Sequence, residues 1–234
     1  MTEDRFEKEL ELLGVLLSET QKNQLETYYK LLVEWNEKMN LTGITEKGQV
    51  YLKHFYDSAT LVKVIDLKEE KTLCDIGTGA GFPGLVLKIL FPHLEVTLVD
   101  ALNKRIVFLE NVIETLKLEN IKTVHERAEE YAREHREKFD VVTSRAVAAL
   151  PMLLEYSVPL VKIGKYFIPM KGDIAQEIKA SEHSIKLLNV NLECQEKFSL
   201  PLENSTRTIL KFRKEKSSHV KYPRKFSEMK KNPL

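Results

Sequence analysis

The stretch DIGTGAGFPG, residues 75–84, places four glycines within eight positions and a carboxylate two residues before the first glycine. It follows an apolar run typical of a strand, KTLCDI, and leads into one typical of a helix, GLVLKILF. Glycines at such a turn let a ligand approach bare backbone. Asp100 ends the next strand-like run, about twenty residues further on, where a carboxylate can accept both hydroxyls of a ribose. The pattern indicates a site for an adenosine-containing cofactor.

Two cofactor classes fit these glycines. Residues 79–84 match the G-x-G-x-x-G of dinucleotide-binding enzymes, and residues 77–81 match the G-x-G-x-G of enzymes that use S-adenosylmethionine. Asp75 favours the second class, because its carboxylate would oppose a pyrophosphate by about 1 kcal/mol or more. The same carboxylate would attract the ammonium and sulfonium of S-adenosylmethionine. Ala128 and Glu129 end the third strand-like run, where an acid and neighbouring backbone can read the adenine ring.

The fourth strand-like run ends in Thr143-Ser144-Arg145-Ala146, which suggests what the acceptor is. An arginine stays protonated and is a poor base, but it binds phosphate or carboxylate well. The reaction therefore needs no deprotonation, or its base lies elsewhere. A ring nitrogen with a free lone pair, such as guanine N7, needs no base. Lys171, after the fifth strand-like run, is a candidate to contact guanine O6, although a solvated lysine before a glycine is an equally good interpretation.

Basic residues gather at the same predicted edge and in the C-terminal tail. Between Lys211 and Lys231 there are nine Lys or Arg residues and two acids, whereas the whole chain carries a net charge of +1. In the tail, aromatic residues interleave with cations, a combination that suits stacking on unpaired bases. A solvated basic terminus is the alternative. The expected RNA-binding residues are Lys104, Arg105, Arg207, Tyr222, Arg224 and Lys225.

The elements that would position these residues divide the chain into three parts. Residues 1–65 have helical periodicity, which includes Leu10, Leu13, Leu16 and Leu17. From residue 71, strand-like and helix-like runs alternate, and two strand-like runs end the series, which predicts an α/β fold with about seven mostly parallel strands and helices on both faces. We therefore expect an N-terminal helical extension (1–65), a Rossmann-like core (66–214) and a basic tail (215–234).

In this order and spacing, the segments WNEKMNLTGI, DIGTGAGFPG, VDALNKRIVFL, RAEE, FDVVTSRAVA, MKG and KYPRK resemble the bacterial small-subunit ribosomal RNA guanine-N7 methyltransferases, also called glucose-inhibited division protein B. The resemblance runs from about residue 20 to the end, and it implies a class I S-adenosylmethionine-dependent fold that methylates a guanine N7 in the decoding-region loop of 16S ribosomal RNA. The cofactor residues that it implies are Asp75, Gly77, Thr78, Gly79, Gly81, Phe82, Asp100, Ala101, Leu102, Ala128, Glu129 and Arg145. Beyond YPR, the tail KFSEMKKNPL departs from the glycine and prolines usual in that family.

Composition limits the other possibilities. Two distant cysteines are too few for a disulfide framework, and no group of residues has metal-ligand spacing. The charged N-terminus is unlike a signal peptide, and no apolar run is long enough for a membrane helix, so we expect a cytosolic protein, with nothing that requires a dimer. His54 and Asp57, one helical turn apart, are interpreted mainly as a local pair or cap. The alternatives are a nicotinamide-dependent oxidoreductase and a non-catalytic RNA-binding assembly factor.

Overall fold

A computed structural model of the chain describes residues 1–172, 174–203 and 205–234. Its centre is one seven-stranded sheet with the strand order β3-β2-β1-β4-β5-β7-β6. Strands β1 to β5 pair in parallel, and β7 runs antiparallel to both of its neighbours, β5 and β6. The expected mostly parallel α/β sheet is thus confirmed. The strands are β1 Thr72–Ile76, β2 Glu95–Asp100, β3 Ile121–His125, β4 Phe139–Arg145, β5 Val161–Lys171, β6 Val190–Ser199 and β7 Thr206–Lys214.

Helices connect these strands and precede them. Those before the sheet are α1 Glu3–Leu12, α2 Glu19–Met39, α3 Lys47–Val50 and α4 Asp57–Ala59, with a π-helical turn at Tyr51–Tyr56 and 3₁₀ turns at Thr60–Lys63 and Leu67–Glu69. Within and after the sheet they are α5 Gly84–Leu90, α6 Asn103–Leu116, α7 Ala128–Glu134, α8 Leu150–Ser157, α9 Ala175–Ala180, α10 Glu182–Leu187 and α11 Phe226–Lys231, with a 3₁₀ turn at Val158–Leu160. No described helix is long and apolar enough to cross a membrane.

The first helix is shorter than the leucine spacing predicts. Gly14 adopts a φ of 78°, and the Val15 N–H donates to the carbonyl of Leu10, which is how a left-handed glycine ends a helix. Leu16 consequently lies outside α1 and is exposed, while Val15 is buried in its place. The next helix, α2, begins after a capping box at Ser18 and ends at a left-handed C-cap at Asn40.

The sheet has a hydrophobic core on each face, because side chains along a strand alternate between the two faces. In β1, Leu73 faces a core shared with α1, α2, α5 and α6, whereas Cys74 faces a core shared with α7 and α8. The C-terminal tail joins the second core through buried Tyr222 and Met229. The tail is therefore packed against the sheet domain, which its basic composition does not indicate.

Strand register gathers the polar residues at one edge. Asp75 pairs with Leu98 of β2 and with Thr143 of β4, so the ends of β1, β2 and β4 lie side by side. Because parallel strands place their carboxyl ends at the same edge, the loops after β1 to β5 meet there. This edge carries the candidate site.

Candidate functional site

The glycine-rich loop after β1 is shaped for close approach of a ligand. Gly77 and Gly79 have φ angles of 68° and 62°, a region that glycine adopts without strain. A Cβ atom built on Gly77 would lie 2.8 Å from a methyl group of Val147, so this position has no room for a side chain. The atom nearest to a Cβ built on Gly79 is 4.0 Å away, so its backbone borders open space.

Asp75 lies beneath this loop and is fully buried. Its Oδ2 accepts hydrogen bonds from the Thr78 hydroxyl at 2.7 Å and from the Gly84 N–H at 2.8 Å. Its Oδ1 is buried with no hydrogen-bond partner. Burial raises the pKa of Asp75 to about 6, against the lowering effects of these two hydrogen bonds and of Arg145. The carboxylate therefore holds the loop through Oδ2, while no hydrogen bond offsets the burial of Oδ1.

Asp100, at the end of β2, is 3% exposed and organises the next loop. Its Oδ2 accepts from the Gly79 N–H at 2.9 Å, and its Oδ1 accepts from the Leu102 N–H at 2.9 Å. Arg105, expected to bind RNA, instead forms an ion pair with this carboxylate at 3.0 Å. Asp100 thereby joins the glycine-rich loop to the start of α6.

A first cavity of about 360 Å³ opens between these strand ends. Glu129, 5% exposed, lies at the end of the loop after β3, and its Oε1 accepts from Arg127 Nε at 2.7 Å. Six residues expected to hold the cofactor line this cavity: Gly77, Asp100, Ala101, Leu102, Ala128 and Glu129. Tyr156 of α8 also lines it, and no sequence signal had indicated this residue. Phe226 of the tail lines it too, whereas its position among tail cations had suggested stacking on RNA bases.

A second cavity of about 560 Å³ adjoins the first, and Ala146 and Val147 line both. The second cavity brings together three cations that the sequence had placed at separate points of the chain: Arg145, Lys171 and Arg207. Lys171 donates to the Ala148 carbonyl at 2.7 Å and forms an ion pair with Glu177 at 2.8 Å. The loop after β4 therefore separates a cavity lined by more acids than cations from one lined by more cations than acids.

Asp57 holds the two arginines of the second cavity in place. Its carboxylate, 3% exposed, accepts from Arg145 Nη1 at 3.0 Å and from Arg207 Nε at 3.1 Å. Arg145 also donates to the Lys53 carbonyl at 3.0 Å, and burial lowers the pKa of its guanidinium. The sequence interpretation missed this role of Asp57, because both partners lie far along the chain.

His54 belongs to the same wall. Its ring stacks on Phe82, with ring centres 4.4 Å apart, and its Nε2 lies 2.9 Å from the Thr42 hydroxyl. Burial, with Arg145 close by, lowers the pKa of His54 to about 3, so the ring is neutral near pH 7. His54 and Asp57 are spaced so that both lie on one helix face. This spacing was the available sequence signal, but it was interpreted as a local pair or cap. The π-helical turn that carries His54 is a form often found at functional sites.

Three further residues expected to hold the cofactor, Gly81, Phe82 and Thr78, line neither cavity. Gly81 packs on α2, since a Cβ there would meet the Tyr28 hydroxyl at 2.6 Å. Phe82 is 6% exposed and lies under the Arg145 guanidinium, 5.2 Å from its carbon to the ring centre. Thr78 is buried against Asp75. None of the three lines the first cavity.

The residues expected to bind RNA are divided between the site and the tail. Lys104 is exposed and donates to the Met39 carbonyl at 2.7 Å. Tyr222 is buried. Arg224 donates to the carboxylate of Glu155, which is fully buried, from its Nε at 2.8 Å and from its Nη2 at 2.7 Å. Lys225 is exposed. The tail thus presents Lys225 to solvent, while Tyr222 and Arg224 anchor it.

Comparison with known proteins agrees with this geometry. A family model described as rRNA small subunit methyltransferase G, of the GidB family, matches residues 21–206. "Ribosomal RNA small subunit methyltransferase G" of Bacillus velezensis is 51% identical over 100% of this chain and 99% of the relative, and that of Bacillus subtilis is 48% identical with the same coverage.

A solved structure shares the fold. TYW2 of M. jannaschii, in complex with AdoMet, superposes with a TM-score of 0.55 at 13% identity, over 68% of this chain and 74% of that one. The family match covers most of the chain and includes the glycine-rich loop, Asp100, Glu129 and Arg145. The chain therefore belongs to the GidB family, the rRNA small subunit methyltransferases G.

Proposed function

We propose that this protein is an S-adenosylmethionine-dependent methyltransferase that modifies N7 of a guanine in 16S ribosomal RNA. The observation that carries the proposal is the pair of adjoining cavities, one bordered by buried acids and the other by cations, which share Ala146 and Val147. A cofactor in the first and a nucleotide in the second would meet at this shared wall. The relatives named as ribosomal RNA methyltransferases support the substrate.

The first cavity fits a cationic nucleoside. Asp75 is fully buried beneath the glycine-rich loop and lines neither cavity, so it would act on a cationic cofactor through its electric field and not by contact. The bare backbone of Gly79 allows close approach. Asp100 and Glu129 line this cavity; in the proposal Asp100 accepts the ribose hydroxyls, in place of its present contact with Arg105, and Glu129 accepts from the adenine amine. When bound, S-adenosylmethionine supplies an electrophilic methyl group.

The second cavity fits an acceptor that needs no base. Arg145 remains protonated, and His54 is neutral because its pKa is about 3. Guanine N7 already carries a lone pair, so holding it in line with the methyl group is the main task of the protein. Lys171, which lines this cavity, is our candidate to donate a hydrogen bond to guanine O6 and orient the ring. In the proposal, Arg207 and Arg145, which line this cavity and are held by Asp57, bind the phosphates that flank the guanine.

Neither alternative function receives support from the relatives, which are named as methyltransferases. An oxidoreductase would have to accommodate a pyrophosphate beside the buried Asp75 carboxylate. An assembly factor without catalysis would not require the first cavity. The methyltransferase accounts for both cavities together.

The test uses purified protein, labelled S-adenosylmethionine, and small ribosomal subunits or naked 16S rRNA from cells that lack the corresponding gene. We expect one N7-methylguanosine, located by mass mapping, and the two substrates show which form is preferred. Asp100→Ala should abolish transfer at low cofactor concentration, whereas Glu130→Ala, an exposed acid outside the cavity, should not. Binding of NAD without binding of S-adenosylmethionine, or methylation of another atom, would refute the proposal.

A further inference from the structure

The C-terminal tail contributes an aromatic ring to the first cavity. Phe226, the first residue of α11, lines this cavity and remains 38% exposed. The guanidinium carbon of Arg127 lies 4.3 Å from the centre of its ring. Arg127 also pairs with Glu129, so the ring, the guanidinium and the carboxylate form one continuous wall.

The segment before Phe226 is anchored, so the ring does not sit on a free terminus. The Arg224 backbone N–H donates to Glu155 at 2.9 Å, in addition to the two bonds from its guanidinium. Arg133 donates to the Pro223 carbonyl at 3.2 Å, and Arg136 donates to the Tyr222 carbonyl at 2.6 Å. These contacts come from α7, α8 and the loop after α7, and residues of α7 and α8 also line the cavity.

After Phe226 the tail is anchored again, because Met229 of α11 is completely buried in the core below α8. Contacts on both sides of Phe226 keep its backbone beside the cavity, and Arg127 contacts its ring. Its partial exposure toward a cavity therefore leaves apolar area for a ligand to cover.

The chemistry of the cavity indicates which ligand covers that area. Three carboxylates and two arginines line the cavity, so its net negative charge disfavours the phosphates of a nucleic acid. Asp100 and Glu129 suit the hydroxyls and the amine of an adenosine. We propose that Phe226 packs against the adenine of S-adenosylmethionine, and that the C-terminal tail is a part of the cofactor site. The exposed tail lysines then lie outside the cavity, with the aromatic ring inside it. This inference rests on the cofactor assignment proposed above.

The test measures cofactor affinity directly by equilibrium dialysis, with no RNA present. Base–aromatic stacking is typically worth enough that Phe226→Ala should weaken S-adenosylmethionine binding about tenfold. Phe226→Tyr should stay within about twofold of the natural protein. Val220→Ala is the matched control, because this tail residue is 84% exposed and does not line the cavity. Melting temperatures of all variants identify any loss of folding.

Tryptophan fluorescence tests the same inference by a measurement that does not depend on cofactor affinity. Trp35 is the only tryptophan, so Phe226→Trp in a Trp35→Phe background places one reporter in the cavity, and S-adenosylhomocysteine should change its emission. Unchanged cofactor affinity of Phe226→Ala, with an unresponsive reporter, would overturn the inference. Loss of affinity for 16S rRNA alone would also overturn it and assign the ring to the RNA. If the natural protein does not bind the cofactor, the proposed function fails as well.

Discussion

Replacing Asp75, the buried carboxylate beneath the glycine-rich loop, should show how much its ionised form destabilises the protein in the absence of cofactor. Asp75 has a pKa of about 6 in the folded protein, against an ordinary value of 3.8, chiefly because it is buried. One pKa unit corresponds to about 1.4 kcal/mol, so ionising Asp75 in the folded state destabilises the protein by about 3 kcal/mol. Asp75→Asn keeps an oxygen that can accept from Thr78 and Gly84 but never ionises.

The sign of the effect follows from proton binding. Between about pH 4 and pH 6 the folded protein binds a proton at Asp75 that the unfolded chain has released. This contribution to stability is complete below the unfolded pKa and is lost as the pH rises through the folded pKa. The free energy of unfolding of Asp75→Asn, minus that of the natural protein, should therefore increase by about 3 kcal/mol between pH 3.5 and pH 7.5.

Urea denaturation across this pH range, without cofactor, measures that difference. Asp140→Asn is a matched control with the opposite sign, because Lys162 and Thr72 outweigh the burial of Asp140 and lower its pKa to about 2. For that variant the difference should fall as the pH rises from about 2 to 4. A difference for Asp75→Asn that stays constant or falls between pH 4 and pH 7 would refute the reasoning.

Binding provides the second part of the same prediction. A cationic cofactor favours the ionised form of Asp75, so the affinity of the natural protein for S-adenosylmethionine should fall below pH 6, by up to about tenfold per pH unit. Asp75→Asn should bind more weakly at pH 7.5 and lose this pH dependence. Equal affinity of the two proteins at pH 7.5 would show that the carboxylate does not act on the cofactor.

Two further predictions concern buried ion pairs. Asp57→Asn removes the negative charge that pairs with Arg145 and Arg207 but keeps a hydrogen-bond acceptor. It should lower the free energy of unfolding, measured by urea denaturation, by about 2 kcal/mol. A loss below about 0.5 kcal/mol would contradict the bridging role. Arg224→Ala leaves the fully buried carboxylate of Glu155 without its partner. It should lower the free energy of unfolding, measured by thermal denaturation, by about 3 kcal/mol. Unchanged stability together with weaker RNA binding would instead assign Arg224 to the RNA.

The order of strands and helices could be predicted because it depends on local periodicity. The alternation from residue 71 gave the parallel sheet, and the carboxyl ends of parallel strands must meet at one edge. Asp75, Asp100 and Glu129 could therefore be assigned to one site before any contact was known. The glycines of the loop were informative for the same local reason, since backbone φ depends on residue type. Gly14 carried an equally local signal, but the leucine spacing concealed it.

The sequence by itself determined the sheet, the glycine-rich loop and the acids at the strand ends, because each follows from residue type and short spacing. Only the tertiary structure decided that Asp57 joins Arg145 to Arg207, and that Phe226 reaches the cavity of Asp100. These partners lie far apart along the chain. Their contacts depend on how the helices and the tail pack against the sheet, and short sequence patterns do not predict such long-range packing.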